Sequence, residues 1–97
     1  MATYITLIRY TERGIENIKE GPARLDGFKQ MVRDAGGEFK EFYLVMGDYD
    51  VVLITEAPDD ETMAKILLTL GSKASHRTET LRAFTEDEYR KIIASLP

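Results

Sequence analysis

Two apolar, strand-like runs flank a short turn near the middle of this chain. Residues 39–46 lead into Gly47-Asp48-Tyr49-Asp50, and residues 50–57 follow with four consecutive aliphatic side chains at 51–54. Gly and Asp favour tight turns, and β-branched and aromatic residues favour strands. The pattern predicts an antiparallel hairpin, so the chain is restricted to folds that contain an antiparallel sheet.

The rest of the chain alternates between strand and helix patterns. Residues 4–10 predict a strand, residues 15–20 a short helical turn, and residues 22–35 a helix that Gly36-Gly37 can end, because Gly adopts the left-handed conformation without steric cost. Asp59 and Asp60 offer N-cap oxygens to a helix whose apolar positions fall at 63, 66, 67 and 70. Residues 75–84 predict a fourth strand, and the capping box at 85–88 begins a last helix.

The predicted order is β-α-β-β-α-β-α, with one hairpin and two helical crossovers. This order matches an α+β, ferredoxin-like βαββαβ arrangement, in which an antiparallel sheet carries its helices on one face, here with an added C-terminal helix. The chain has 97 residues, so we expect a single domain over residues 1–97.

The second and third predicted strands are apolar on both faces. Strict alternation puts Phe39 and Tyr43 on one face and Phe42 and Leu44 on the other, and residues 51–54 are apolar throughout. Helices cover only one face of such a sheet, so the other face predicts self-association into a homodimer or a higher homo-oligomer. The alternative is that the C-terminal helix folds across the open face.

Composition excludes several classes of function. There is no Cys, so disulfides, thiolate nucleophiles and Cys-ligated metals are excluded, and we expect neither a metal nor a cofactor. The net charge of -4 argues against a nucleic-acid partner. The N-terminus enters a strand pattern directly and no long apolar run follows, so we expect a cytoplasmic protein without a membrane segment.

Residues spread along almost the whole chain resemble one family. They are Tyr4-Ile5, Leu7, Thr11, Gly14-Ile15, Asn17, Lys19, Pro22, Arg24, Phe42-Tyr43, Gly47-Asp48-Tyr49-Asp50, Glu56-Ala57-Pro58-Asp59, Thr78-Glu79-Thr80-Leu81 and Ala83-Phe84. In these positions the chain resembles the GYD-domain proteins, which are small bacterial and archaeal proteins. The resemblance implies a ferredoxin-like fold of the dimeric α/β-barrel type and a homodimer, but no established biochemical function.

Two positions depart from that family. Gly21 precedes Pro22 where Ser is expected, and Ser75-His76 precede Arg77 where a small or apolar residue is expected. A more distant similarity is to the effector-binding domains of Lrp/AsnC-type regulators, which carry a Gly-x-Tyr-Asp turn between strands two and three. Those domains bind amino acids at subunit interfaces, and the similarity implies a small-molecule ligand.

Tyr49 and Asp50 are the first candidates for a binding site, because a turn does not need a phenol. They can bind an amine or a hydroxyl at an interface or pocket rim. The alternative is structural: Asp50 bonds N–H groups of the turn while Tyr49 packs on a neighbour. We expect Gly47 to be required if it adopts positive φ.

Three cations are candidates for an anion site. Arg9 ends the first strand, while Lys19 and Arg24 flank Gly21-Pro22, so all three are expected near the N-terminal end of the long helix. The alternative is ordinary solvated or ion-paired side chains, including an Arg9–Glu56 pair across neighbouring strands.

His76 is the single imidazole of the chain, and it is a candidate proton carrier or axial haem ligand. The alternative is an exposed His at the start of an edge strand. An enclosed pocket lined by His76, Tyr49 and Tyr43 would favour chemistry, whereas a filled core with an open interface groove would favour binding.

Two functions therefore remain from the sequence. The first is a non-enzymatic oligomeric module that binds a small ligand or a partner, with a possible regulatory role. The second is a cofactor-independent enzyme of the dimeric α/β-barrel type, similar to monooxygenases and isomerases that act on small organic substrates. The sequence names neither the ligand nor a reaction.

Overall fold

A four-stranded antiparallel sheet, in the order β2-β3-β1-β4, organises the computed structural model, which describes residues 1–72 and 75–97. The elements in chain order are β1 (Ala2–Tyr10), α1 (Glu12–Glu16), a 3-10 turn (Ile18–Glu20), α2 (Gly21–Asp34), β2 (Glu38–Leu44), β3 (Val51–Ala57), α3 (Asp60–Gly71), β4 (His76–Ala83) and α4 (Glu86–Ala94). The predicted order of elements and the ferredoxin-like α+β fold are confirmed.

The core lies between the sheet and the helices α2 and α3. Along β3 every second residue, at 51, 53, 55 and 57, is buried, and the residues between them are half-buried. Phe28 and Val32 of α2 and Ile66 and Leu70 of α3 pack with these strand residues. The alternation of β3 therefore separates a helix-covered face from a face without helices.

The end of α2 shows why the sequence folds back into β2 at this point. Gly36 has φ +82°, and its N–H donates to the Arg33 carbonyl at 3.0 Å. The Gly37 N–H donates to the Val32 carbonyl at 2.9 Å. These two bonds form a Schellman motif, which satisfies carbonyls left free at the end of the helix. The predicted Gly36-Gly37 C-terminus of the helix is confirmed.

Strict alternation along β2 was the wrong expectation. The register between β2 and β3 shifts between Phe39 and Glu41, so Phe39 lies opposite Thr55 and Phe42 lies opposite Leu53. Both partners are buried on the helix-covered face. Phe39 and Tyr43 therefore lie on opposite faces, because the extra residue of a β-bulge moves the following side chains to the other side.

The face of the sheet without helices carries an apolar surface, which we call the open face. It consists of Ile5, Leu7, Tyr43, Val52, Ile54 and Leu81, which neighbour one another through the strand register. Tyr43 is 52% exposed and Leu81 is 45% exposed, while the other four are half-buried. The described residues thus leave an apolar patch of the sheet in contact with solvent.

The C-terminal helix α4 does not cover the open face. Its apolar residues Tyr89, Ile92, Ile93 and the following Leu96 are all at least 43% exposed. The predicted capping box is present, since the Thr85 hydroxyl and the Glu88 carboxylate each accept from the other's backbone N–H. The alternative of a self-covering helix is therefore wrong for this structure.

None of the helices in the described part of the chain has the length and apolarity needed to cross a bilayer.

Candidate functional site

Asp50 attaches the hairpin turn to β1. Its backbone N–H donates to the Ile8 carbonyl at 2.8 Å, and its carboxylate accepts from the Tyr10 N–H at 2.9 Å. The carbonyl of Asp50 also accepts from the Val45 N–H at 2.9 Å. The structural role of Asp50 is therefore a bond to the neighbouring strand, rather than the predicted bond to N–H groups of the turn itself.

Tyr49 lies over the end of the open face. Its hydroxyl donates to the Glu79 carboxylate at 2.6 Å, and the Arg9 guanidinium stacks 4.4 Å from the centre of its ring. Arg9 Nε donates to the Asp48 carbonyl at 2.6 Å. The bond to Glu79 is the main reason that the pKa of Tyr49 is raised. We call Arg9, Tyr49 and Glu79 the turn cluster.

The alternative of an Arg9–Glu56 ion pair is wrong, and the condition under which Gly47 would be required is not met. Arg9 does not pair with Glu56, which lies opposite Thr3 at the other end of β1 and is 3.9 Å from the Lys40 ammonium. Gly47 does not adopt positive φ, and nothing lies within 4 Å of a Cβ built at that position. The turn is held by bonds to β1, so it does not need the special conformation of Gly at position 47.

We expect Asp50→Ala to lower the free energy of unfolding by about 1–3 kcal/mol, because the Tyr10 N–H loses its acceptor in a partly buried position. Asp48→Ala is the matched control, since Asp48 uses its backbone carbonyl to hold Arg9 and its side chain is exposed. Urea denaturation of both variants gives the comparison. Equal effects of the two changes would contradict the role assigned to the Asp50 carboxylate.

A cavity of about 320 Å³ lies on the opposite side of the sheet from the turn cluster, between the start of α2 and the strands. Its walls are mostly apolar, with contributions from Ile8, Leu25, Phe28, Phe42, Leu44, Val51, Leu53 and Leu70. This volume is at the lower end of the range for small-molecule sites.

Three polar side chains also line this cavity, namely Tyr10, Arg24 and His76. Arg24 Nη2 donates to the Glu20 carboxylate at 2.8 Å, while Arg24 Nη1 is buried without a partner. His76 Nδ1 is likewise buried without a partner, and the His76 ring lies 5.6 Å from the Tyr10 ring. Among the described residues the only other such orphaned atom is Thr55 Oγ1.

The cavity shifts the pKa of two of these groups. Burial, followed by the positive charge of Arg24, lowers the pKa of His76, so its imidazole is neutral at pH 7. Burial, followed by the charge of Asp50, raises the pKa of Tyr10, while Arg24 acts in the opposite direction. The cavity therefore holds one permanent cation, a neutral imidazole and a protonated phenol.

The candidate residues from the sequence separate into two locations and two isolated positions. Arg24 and His76 meet in the cavity, whereas Arg9, Tyr49 and Asp50 meet at the turn. Tyr43 lies on the open face, and Lys19 is exposed on the 3-10 turn. The predicted gathering of Arg9, Lys19 and Arg24 is not observed.

The pocket lined by His76, Tyr49 and Tyr43, which would favour chemistry, is not formed by the described residues. Neither Tyr49 nor Tyr43 lines the cavity with His76; Tyr10 does. Tyr10 follows the buried residues Tyr4, Thr6 and Ile8 at every second position of β1. The alternation of the strand is therefore the sequence signal that would have predicted Tyr10 on the helix-covered face. No group of three or more potential ligands for a metal ion is found among the described residues.

We expect His76 to make the fold less stable as the pH falls from about 7 to 5. The pKa of His76 is lower in the folded state than in the unfolded state. As the pH falls through about 6.5, the unfolded state therefore binds the proton first, and the free energy of unfolding decreases. The decrease ends when the pH falls below the His76 pKa of the folded state. Urea midpoints measured across this range test the effect. In His76→Asn most of the decline should disappear, because the chain has no other His; an unchanged decline would contradict this assignment.

Comparison with known proteins gives one matching family, one relative in sequence and several similar structures. The model of the GYD domain family matches residues 4–93. A protein of Thermus thermophilus, named glutamine synthetase and cystathionine beta-lyase binding protein, is 38% identical over 84 residues, which are 86% of this chain and 88% of that protein.

Solved structures agree with the fold. A crystal structure of a Thermus thermophilus protein has a TM-score of 0.56 and 26% identity, covering 88% of this chain and 95% of that one. A feast or famine regulatory protein from M. tuberculosis, complexed with L-methionine, has a TM-score of 0.67 and 18% identity; the match covers 88% of this chain but 51% of that regulator. The predicted similarity to Lrp/AsnC-type domains is thus confirmed at the level of the fold. Because the family model spans nearly the whole chain, the protein belongs to the GYD domain family.

Proposed function

We propose that this GYD domain is a non-enzymatic binding module that takes a small organic molecule into the cavity between α2 and the sheet. The observation that carries the proposal is one apolar cavity lined by Arg24 and His76, two side chains that each keep a buried nitrogen without a partner. Burying a polar group without a hydrogen bond costs free energy, and a bound ligand with suitable polar atoms removes that cost.

A regulatory role through a protein partner is the second part of the proposal. The relative at 38% identity is named as a binding protein of two metabolic enzymes, which supports a domain that contacts an enzyme rather than one that catalyses a reaction. The regulator with a similar fold is complexed with an amino acid, which supports a response to a small metabolite. We expect the contact with the partner protein to occur in the cytoplasm.

Self-association through the open face is the third part. Six apolar side chains form one patch, and α4 leaves it exposed, so a second copy of the chain is the simplest cover for it. A two-fold interface uses the same patch on both subunits, which suits a single continuous apolar surface. The homodimer leaves the cavity on the far side of the sheet.

A cofactor-independent enzyme is the second candidate function, and His76 is the observation that favours it. The neutral imidazole lies in an apolar cavity, where it can accept a proton from a bound substrate. A ligand recovered unchanged after long incubation, followed by NMR, supports the binding module. Conversion that disappears in His76→Asn would instead establish the enzyme.

The binding proposal is tested by blocking the cavity without disturbing the fold. Gly21 lines the cavity at the start of α2, and a Cβ at this position meets nothing within 4 Å, so Gly21→Leu should place an apolar side chain at the cavity without a backbone clash. Gly27→Leu is the matched control, because Gly27 lies on the same helix with equal free space and does not line the cavity.

The readout is a thermal-shift screen of small metabolites that includes acids, amines and neutral compounds. A ligand at a hundred times its Kd stabilises the folded state by about 2.7 kcal/mol, which is on the order of 10 °C for a domain of this size. We expect at least one compound to stabilise the wild type and Gly27→Leu but not Gly21→Leu. If no compound does so, the cavity is not a ligand site.

A further inference from the structure

The chemistry of the cavity lining points to one class of ligand. We infer that the cavity binds a small monocarboxylate with an apolar body and without an ammonium group. The inference rests on the proposed function, and it goes further by separating organic acids from amino acids.

Arg24 is the reason to expect an anionic group on the ligand. A guanidinium is charged at every physiological pH, and it favours carboxylates because its N–H groups match their two oxygens. Glu20 occupies Nη2 from the solvent side with its exposed carboxylate, whereas Nη1 remains buried and unpartnered. Arg24 therefore brings to the cavity wall a cation with one nitrogen that still needs an acceptor.

The absence of an ammonium follows from the rest of the lining. Among the described residues no carboxylate lines the cavity. Two carboxylates lie beside lining residues, and both are engaged: that of Glu20 accepts from Arg24 Nη2, and that of Asp50 accepts from the Tyr10 N–H. An ammonium group would be desolvated beside Arg24 without a free carboxylate of its own, because Glu20 already pairs with Arg24, and this is unfavourable. Among its described lining residues, the cavity therefore lacks the free carboxylate that the ammonium group of an amino acid would need.

The size and the remaining polar groups complete the description of the ligand. A volume of about 320 Å³ is at the lower end of the range for small-molecule sites, so the ligand should be small. His76 is neutral, so it can donate to a second carboxylate oxygen from one ring nitrogen without adding charge. The walls of Phe28, Leu53 and Leu70 would receive the aliphatic part.

Three compounds with one carbon skeleton test the inference, namely 4-methylpentanoate, L-leucine and 4-methylpentanamide. They share the aliphatic body and differ in charge, and their binding to the wild type is measured by calorimetry or by NMR shifts at pH 7. We expect the acid to bind about tenfold or more tightly than either of the others, since a charge-assisted bond to Arg24 is available only to it without an uncompensated ammonium.

Arg24→Met removes the charge and keeps much of the side-chain length. It should weaken the binding of 4-methylpentanoate about tenfold or more and leave the amide unchanged. Arg33→Met is the matched control on the exposed side of the same helix, and it should bind the acid as the wild type does. Circular dichroism verifies that both variants are folded.

The outcomes separate this inference from the proposed function. If L-leucine or the amide binds as tightly as the acid, or if Arg24→Met binds the acid normally, the inference is wrong while the cavity remains a ligand site. If none of the three compounds binds but the metabolite screen finds a ligand that Gly21→Leu abolishes, the inference is also wrong. If that screen finds nothing either, the proposed function itself is overturned.

Discussion

Replacing Gly37 with alanine is expected to lower the free energy of unfolding by about 2 kcal/mol, because the added methyl group does not fit between α2 and β3. A Cβ at this position would lie 2.5 Å from the Glu56 carbonyl oxygen and 3.1 Å from Val32 Cγ1. Glu56 belongs to β3 in the interior of the sheet, and Val32 is fully buried in α2, so neither neighbour can move freely. The backbone between α2 and β2 must shift instead.

Urea denaturation at fixed protein concentration measures this change, and the unfolding midpoint on heating should fall on the order of 10 °C. Gly47→Ala is the control for the loss of a Gly in a loop, because its Cβ meets nothing within 4 Å and its φ is not positive. We expect that variant to be as stable as the wild type or slightly more stable. A Gly37→Ala protein as stable as Gly47→Ala would show that the close approach to β3 is not maintained in solution.

The two Gly positions illustrate what local sequence signals predict. Gly36-Gly37 stands between a helical pattern and a strand pattern, and both patterns predict that the helix ends at this point. Gly47 stood in a turn whose conformation depends on where its ends are anchored. Asp50 anchors one end to Ile8 and Tyr10 of β1, a strand some forty residues away, and no local pattern encodes that contact.

The same distinction explains which part of the candidate site was predicted. Arg24 and His76 were both singled out by their chemistry, but they were assigned to different sites. They meet because β4 lies next to β1 in the sheet, so that His76 is opposite Tyr10 and close to the start of α2. The register shift in β2 likewise places Phe42 and Leu44 against the cavity, and a bulge has no clear signal in a strand pattern.

The turn motif and the cavity are on opposite sides of the sheet, and they can serve different functions. Tyr49 contacts Arg9 and Glu79 at the edge of the open face, so the Gly47–Asp50 turn would border the interface of the proposed dimer. Tyr10 connects the two sides, because its backbone holds Asp50 of the turn while its ring lines the cavity. A ligand that moves the Tyr10 ring would therefore act on the residue that holds the turn.

Leu81→Glu should convert a dimeric wild type into a monomer at micromolar concentration. Leu81 lies opposite Ile5, which lies opposite Ile54, so the substitution places a carboxylate beside the apolar residues of the open face, on the edge strand β4. In a two-fold dimer both copies would bury this charge without a partner, at a cost of several kcal/mol, which weakens the dimer at least about 100-fold. Sedimentation equilibrium measures the dissociation constant.

Leu68→Glu is the matched control, because Leu68 is 75% exposed on α3, on the helix-covered side of the sheet. It introduces the same charge with the same loss of a leucine, and it should leave the dimer intact. Both variants should unfold cooperatively, since Leu81 is itself 45% exposed in the single chain. A wild type that sediments as a monomer contradicts the dimer, whereas dimers that survive Leu81→Glu would place the interface elsewhere. The exposed apolar side of α4 would then be the surface to test, because its Ile92 and Ile93 also lack a cover in the described chain.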